Sequence, residues 1–358
     1  MNATESFLTT EDYYNYDELA KFMLCNKSSV IEFASWFLPT LYTLVFIFGL
    51  IGNGLVVCVL IQYKKLRSMT DVYLLNLAVS DLLFVLSLPF WSSYAAVSHW
   101  VFGAPLCKII SGFYLIGFYS GIFFLTIMSI DRFLAIVYAV TAMRFRSVSH
   151  GVFVSVAVWA ISLCASLPTI VFSQVKNESG LSTCNSEYPE GQYVKWKLIN
   201  NFELNILGLL LPFFIMVYCY SRIIQTLRVC RSYKKEKAVK LIFIVVIVFF
   251  LFWTPYNIVL FLESLQILDF FRDCDSSNNL EIAMQCTETL AFVHCCLNPV
   301  IYAFAGQEFK KCLRKMLYKC TSYCFVCKQC KMLSSAISEP LSSTYSRSSG
   351  EPCVTRVL

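Results

Sequence analysis

The sequence predicts an all-α membrane protein, a seven-transmembrane helix bundle with an extracellular N-terminus and a short amphipathic helix after the last span. Three observations carry this. The chain of 358 residues is 57% hydrophobic and only 15% charged, where a soluble domain would be about one-quarter charged. Seven long apolar runs recur along it with few ionisable residues inside them. Basic residues gather on alternate loops between those runs.

Residues 1–35 form an acidic, Tyr-rich leader, including "TTEDYYNYDEL". With that polar lead ahead of it, no cleavable signal peptide is expected at residue 1, and span one should insert as an anchor. Span one covers 36–62, more than the roughly 20 residues that cross a hydrocarbon core as a helix. Spans two to seven follow near 72–97, 109–130, 151–173, 204–221, 241–262 and 282–305, so that 36–306 is the bundle. Residues 307–320 form the basic, membrane-lying helix, and 321–358 a Cys- and Ser-rich tail.

The loops set the orientation. Lys64, Lys65 and Arg67 follow span one, Arg144 and Arg146 follow span three, Arg228, Arg231, Lys234, Lys235 and Lys237 follow span five, and Lys310, Lys311, Arg314 and Lys315 follow span seven. An excess of Lys and Arg marks the cytoplasmic side. The opposite side holds the acidic leader and "DFFRDCDSSNNLE" (269–281), so the net +6 conceals a chain acidic outside and basic inside. The sequons at Asn2, Asn26 and Asn177 all fall on the outer side, as glycosylation of a secreted face requires. An odd number of spans leaves the C-terminus in the cytoplasm.

Of 17 cysteines, Cys25, Cys107, Cys184 and Cys274 lie on the outer side, where disulfides persist. Four cysteines allow three pairings. Pairing Cys107 with Cys184 and Cys25 with Cys274 would staple the outer loops into two clasps. Cys320, Cys324, Cys327 and Cys330 repeat C-x-x-C, a spacing compatible with zinc. Beside a basic membrane-lying helix they are read instead as palmitoylation sites.

An ionisable side chain at membrane depth is costly, so each one is a functional candidate. Asp81, Glu288 and His294 stand within spans, and Asp131 with Arg132 ends span three. A structural hydrogen-bond hub is the competing reading for Asp81. Cys107 and Arg132 lie 25 residues apart on one helix, about 37 Å, which joins the outer clasp to an inner ion pair able to open for a cytoplasmic partner. Adjacent residues on a helix point apart, so that pair depends on side-chain reach. Prolines at 89, 168, 212, 255 and 299 kink spans two, four, five, six and seven, leaving room between them. Span seven has no lysine for a retinal Schiff base, no repeat with matching broken helices suggests a transporter, and no nucleophile and base share a span. An enzyme is therefore not expected, nor is a nucleic-acid partner.

The residues Gly52 and Asn53, "LAVSD" ending at Asp81, "DRF" (131–133), Trp159, Pro212, "FWTP" ending at Pro255 and "NPVIY" (298–302) occur one set per span, in order. This series resembles a rhodopsin-type G-protein-coupled receptor. Within that class, "KLRSMTDVYLLNLAVSDLLF", "SLPFW", "HWVFG", "WTPYNIVLFLE" and "ETLAFVHCCLNPVIYAF" resemble a CC-type chemokine receptor, with the nearest pattern in type four and type eight beside it. The resemblance covers about 36–320.

It implies a plasma-membrane receptor for basic CC chemokines that activates an inhibitory-type G protein, supporting calcium signalling and chemotaxis. It implies sulfation of Tyr13, Tyr14 and Tyr16, making the leader an electrostatic capture site; a disordered, solvated tail has the same composition. It implies a ligand pocket of Tyr42, Trp91, Tyr114, Tyr256 and Glu288. Glu288 lies about six residues, roughly 9 Å, into span seven, where it would pair with the ligand's N-terminal amine. Asn53, Asp81, His294 and Asn298 match the family's central polar cluster, which can hold a sodium ion, although Gly121 stands where the family has a small polar residue. Beyond that ion no cofactor is expected. Asp131, Arg132, Tyr220 and Tyr302 match the G-protein switch, with Phe133 in place of the usual tyrosine. The Ser-rich tail at 334–350 would dock arrestin once phosphorylated, and membrane lipid and a homo- or heterodimer complete the partners. A scavenging receptor that internalises ligand without activating a G protein is the alternative.

Overall fold

The computed structural model describes residues 28–140, 142, 146–178, 180–229, 233–270, 273–305 and 307–323. Helix α1 (Ser28–Cys58) continues into a π-helical turn (Val59–Lys64) and stops where Lys65 and Leu66 adopt φ of 59° and 42°. Helix α2 (Met69–Val97) starts from a capping box in which Ser68 and Asp71 exchange side-chain and backbone bonds. Such a box satisfies two otherwise orphaned N–H groups. Lys64 pairs with the same Asp71, tying the cap to the end of span one. Helix α3 (Gly103–Val137) is the long axis of the bundle, and α4 (Val148–Phe172) is N-capped by Ser147.

Strands β1 (Ser173–Glu178) and β2 (Leu181–Ser186) then form an antiparallel hairpin, with Val175 opposite Cys184. It turns at Gly180, whose φ of 85° favours a residue without Cβ. The hydropathy pattern does not announce this hairpin. "SQVKNE" and "LSTCNS" lack an alternating apolar face. The strands are held instead by the Cys107–Cys184 disulfide and by the Trp100 N–H donating to Ser182 O at 2.7 Å.

Span five is three pieces: α5 (Tyr193–Asn205), a π turn (Ile206–Leu210) and α6 (Leu211–Val229). Pro212 explains the break. It has no N–H for the carbonyl four residues back, and the chain widens so that the Leu211 N–H reaches Ile206 O. Helices α7 (Tyr233–Ile267) and α8 (Cys274–Ala305) follow, and α9 (Gln307–Tyr323) leaves α8 at about 90°. Among the described residues, six helices or helix pairs are long and apolar enough to cross a membrane; the more polar α8 meets that test only together with α9.

Most helices outrun their apolar windows. Spans five, six and seven, expected from 204, 241 and 282, begin at Tyr193, Tyr233 and Cys274. Hydropathy marks the segment in hydrocarbon, whereas backbone hydrogen bonding carries the helix on into its polar ends. Packing relies on small residues at the crossings. A Cβ on Gly117 would sit 2.9 Å from the Ser80 oxygen and the Phe84 nitrogen, and one on Gly208 would sit 2.5 Å from the Phe118 ring. Phe48, Phe153, Phe214, Leu251 and Phe304 face outward, as a lipid-facing surface requires.

Candidate functional site

At the end of the bundle carrying the hairpin, Cys107 and Cys184 are bonded with Cα atoms 5.8 Å apart. Cys274 is also disulfide-bonded, while Cys25, its expected partner, lies outside the described residues. Beside the first clasp, buried Trp100 donates from Nε1 to Gly103 O at 2.9 Å. Its ring meets Trp91, Tyr94 and Phe102 at centroid distances of 5.6, 5.8 and 5.1 Å. Trp91 therefore belongs to the aromatic box that anchors the hairpin.

The Tyr114 hydroxyl donates to Glu288 Oε1 at 2.8 Å. Phe84 and Phe292 flank Tyr114 at 5.2 and 5.7 Å, and Tyr42 packs on Phe292 at 5.4 Å. Tyr42 and Tyr256 both lie within electrostatic reach of Glu288. Tyr42, Tyr114, Tyr256 and Glu288 are thus brought together around one carboxylate. Among the described residues Glu288 makes no ion pair. Helix α8 begins at Cys274, so Glu288 stands about 21 Å along its helix, further than the apolar window alone suggests.

Outside the spans, Asp273 caps α8, its Oδ2 accepting the Ser276 N–H at 2.8 Å. The Ser276 hydroxyl and N–H hold the Asp273 carboxyl below its usual range. Burial raises the Tyr188 phenol above its usual range, where its ring meets Phe172 at 5.2 Å and Tyr193 at 5.8 Å.

In mid-bundle, Asn298 Nδ2 donates to Asp81 Oδ2 at 2.9 Å. Asn53 Nδ2 donates to the Cys295 carbonyl at 2.9 Å, the acceptor that Pro299, lacking an N–H, leaves unmatched. The carbonyl that Pro299 frees in span seven is therefore met from span one. His294 rests its ring on Phe249 at 5.3 Å, its Nε2 without a hydrogen-bond partner, beside a small cavity lined by Asp81, Gly121, Phe249, Trp253, His294 and Cys295. Asp81, His294 and Cys295 offer a carboxylate, an imidazole and a thiol within 4.8 Å of one another. Sodium, a hard cation, prefers oxygen donors, and Gly121 supplies none from a side chain. Of those three groups only the Asp81 carboxylate is an oxygen donor, while Asn53 Oδ1 and Asn298 Oδ1 of the same cluster are without hydrogen-bond partners.

At the far end of α3, Asp131 is saturated. It pairs with Arg132 Nη2 at 3.0 Å, accepts Arg146 Nε and Nη2 at 2.8 and 3.0 Å and accepts the Thr70 hydroxyl at 3.1 Å. Arg132 also donates to Thr70, and its Nε has no partner. Tyr220 lies within electrostatic reach of Arg132, with its ring 4.9 Å from Phe243. Tyr302 lies within reach of Asp81 and packs on Phe309 of α9 at 6.2 Å. Phe133 fills a space between Tyr138 and Tyr218, 5.6 and 5.7 Å away. Sequence reasoning placed Arg146 among the loop cations, and nothing in its spacing announced a bidentate grip on Asp131. Thr70 gave no signal either, and Cys295 looked like an apolar filler.

Asn177 is exposed on β1 and accepts from the Ser182 hydroxyl. Asn2, Tyr13, Tyr14, Tyr16, Asn26, Cys324, Cys327, Cys330 and the tail at 334–350 lie outside the described residues, as does the side chain of Cys320.

Residues 52–302 match the model of the 7 transmembrane receptor (rhodopsin family). The chain is 51% identical over 354 residues to the C-C chemokine receptor type 4 of Homo sapiens, covering 97% of each. Those matches agree with the bundle of membrane-span-length helices, and they describe a receptor class without enzymatic chemistry. The chain belongs to the rhodopsin family of seven-transmembrane receptors, as a homologue of the C-C chemokine receptors.

Proposed function

We propose that this chain is a plasma-membrane receptor for basic CC chemokines that activates an inhibitory-type G protein. The hairpin end and the acidic leader face the outside, and the Arg132 end, α9 and the tail face the cytoplasm. The observation that carries the reading is Glu288, a carboxylate inside the bundle whose hydrogen bond comes from a neutral phenol and which makes no ion pair among the described residues. An anion so placed gains most from a cation arriving with a ligand. The chemokine's N-terminal ammonium supplies it, with Tyr42, Trp91, Tyr114 and Tyr256 as walls.

Tyr13, Tyr14 and Tyr16, sulfated, capture the basic ligand first and speed its encounter. Glycans on Asn2, Asn26 and Asn177 and a Cys25–Cys274 clasp complete the outer face. Inside, the contacts of Asp131 and Arg132 exchange for contacts to the G protein, with Tyr220 and Tyr302 lining the opening. Asn53, Asp81, His294 and Asn298 transmit the change between the two ends. Palmitoyl chains on Cys320, Cys324, Cys327 and Cys330 hold α9 to lipid, and the phosphorylated tail recruits arrestin.

Phe133 favours a second reading, a scavenger that takes up ligand without activating a G protein, because the usual hydroxyl is missing there. One experiment separates them: expression in cells, with G-protein activation, surface binding and uptake recorded against a panel of CC chemokines. Activation by one or two ligands supports the signalling receptor. Binding and uptake without activation, restored by Phe133→Tyr, makes it a scavenger.

A further inference from the structure

The mid-bundle cavity gathers three donors, one of which, Cys295, has no part in the reading above. Asp81 on α2 and His294 and Cys295 on α8 offer a carboxylate oxygen, a ring nitrogen and a thiol sulfur within 4.8 Å of one another. All three are buried, at 5, 4 and 4% exposure. His294 Nε2 has no hydrogen-bond partner, and a buried polar atom left so is costly. The Cys295 thiol stands within hydrogen-bond reach of the Asp81 carboxylate. Neighbouring positions on a helix point about 100° apart, so His294 and Cys295 share a target only between their two directions. A cavity of about 20 Å³ is lined there by both of them and by Asp81. It has room for one small ion or one water, not for an organic ligand.

We propose that Asp81, His294 and Cys295 form a binding site for a transition-metal ion of the zinc type, which ties span two to span seven. The donor set selects the metal: sulfur, nitrogen and a carboxylate oxygen together suit Zn²⁺, whereas hard cations take oxygen. The site is therefore distinct from the oxygen cluster of Asn53, Asp81 and Asn298 and shares with it only the Asp81 carboxylate. Charge points the same way. A carboxylate and a thiolate together neutralise a divalent ion, at a depth where net charge is costly. Donors within 4.8 Å of one another close to the roughly 3.5 Å spacing of a tetrahedral zinc shell by shifts of about 1 Å. On binding, the metal takes the place of the thiol proton: the Cys295 S–H bond breaks, its electron pair forms the metal–sulfur bond, and the proton leaves to solvent. Asn298 Nδ2, donating to Asp81 Oδ2, orients the carboxylate as an outer partner of a metal ligand does. A cysteine packed as an apolar filler and a ring resting on Phe249 require no metal, but neither accounts for three donors converging on one cavity.

The test uses purified full-length protein in which Cys320, Cys324, Cys327 and Cys330 are changed to Ser, so that the C-x-x-C repeat of the tail cannot hold metal. Zn²⁺ binding is measured by equilibrium dialysis and by the rise in unfolding temperature, and Co²⁺ serves as a coloured substitute whose thiolate charge-transfer absorption reports a metal–sulfur bond. One Zn²⁺ per chain is expected, raising the unfolding temperature as any ligand of the folded state does, with the cobalt–thiolate absorption present. Cys295→Ser and His294→Gln are each expected to weaken Zn²⁺ binding at least about a hundredfold, the upper range for losing even an outer-shell partner, and Cys295→Ser to abolish the absorption. Cys296→Ser, which alters the neighbouring thiol that bonds to the Val45 carbonyl, is expected to change neither. Failure of Zn²⁺ to bind, or binding to either ligand variant as tight as to the parent, overturns the proposal. So does stabilisation of the parent and of Cys295→Ser alike by Na⁺ with none by Zn²⁺, the result of a site that uses oxygen alone. Should His294→Gln fail to fold, Cys295→Ser decides, because it exchanges sulfur for oxygen with little change of shape.

Discussion

Asp131 and Glu288 are both carboxylates within the bundle, and their surroundings differ in kind. Asp131 is gripped by two guanidinium groups and a threonine hydroxyl, whereas Glu288 is met by one tyrosine hydroxyl. A charge that the protein neutralises itself supports the resting structure. A charge left without a cation favours whatever brings one. One end of the molecule neutralises its own carboxylate; under the proposed function the other is completed by the ligand.

Asp131→Ala should produce the largest effect, because it leaves Arg132 and Arg146 facing each other without the anion between them. Removing one partner of a buried ion pair costs about 3–5 kcal/mol, visible as a lower unfolding temperature of the purified protein. Retention of parental stability would mean that the pairing is incidental. Glu288→Gln should do the opposite: unchanged or raised stability, and a loss of chemokine potency worth about 2–5 kcal/mol of binding. Full potency would remove Glu288 from the ligand site.

Tyr114→Phe deletes the hydrogen bond to Glu288, and bonds to charged groups contribute about 1.5–3 kcal/mol. Ligand-free stability should fall by an amount in that range, and potency should fall less than in Glu288→Gln. The smallest effect belongs to a third carboxylate, Asp273, fully exposed and serving as a helix cap. Its folded-state value is lowered, so its contribution to the cap is present at neutral pH and is lost as pH falls through the lowered value. Hydrogen-exchange protection in the first turn of α8, taken relative to the intrinsic exchange rate at each pH, should fall on acidification, and Asp273→Ala should show the low protection at every pH.

The bundle was legible because its signals are local and redundant. Apolar windows, alternating basic loops and one motif per span each repeat along the chain, and they agree with the family match over 52–302. The hairpin was not legible, since its strands lack an apolar face and depend on a disulfide and on Trp100, both distant in sequence. The meeting of Tyr114 with Glu288 was named only through resemblance. Arg146 was hidden because a cation in a basic loop looks the same whether it faces water or doubles back 15 residues to a carboxylate.

By itself, the sequence determined the class, the number of spans and the rare charges that membrane depth makes costly, and it set the expectation for which loops lie outside. These follow from transfer free energies of single segments, which need no knowledge of neighbours. Only the tertiary structure decided which charge is neutralised and which is left open. Pairing is set by distances of a few ångströms between helices far apart in the chain, and a carboxylate's chemistry is decided by what those helices bring to it.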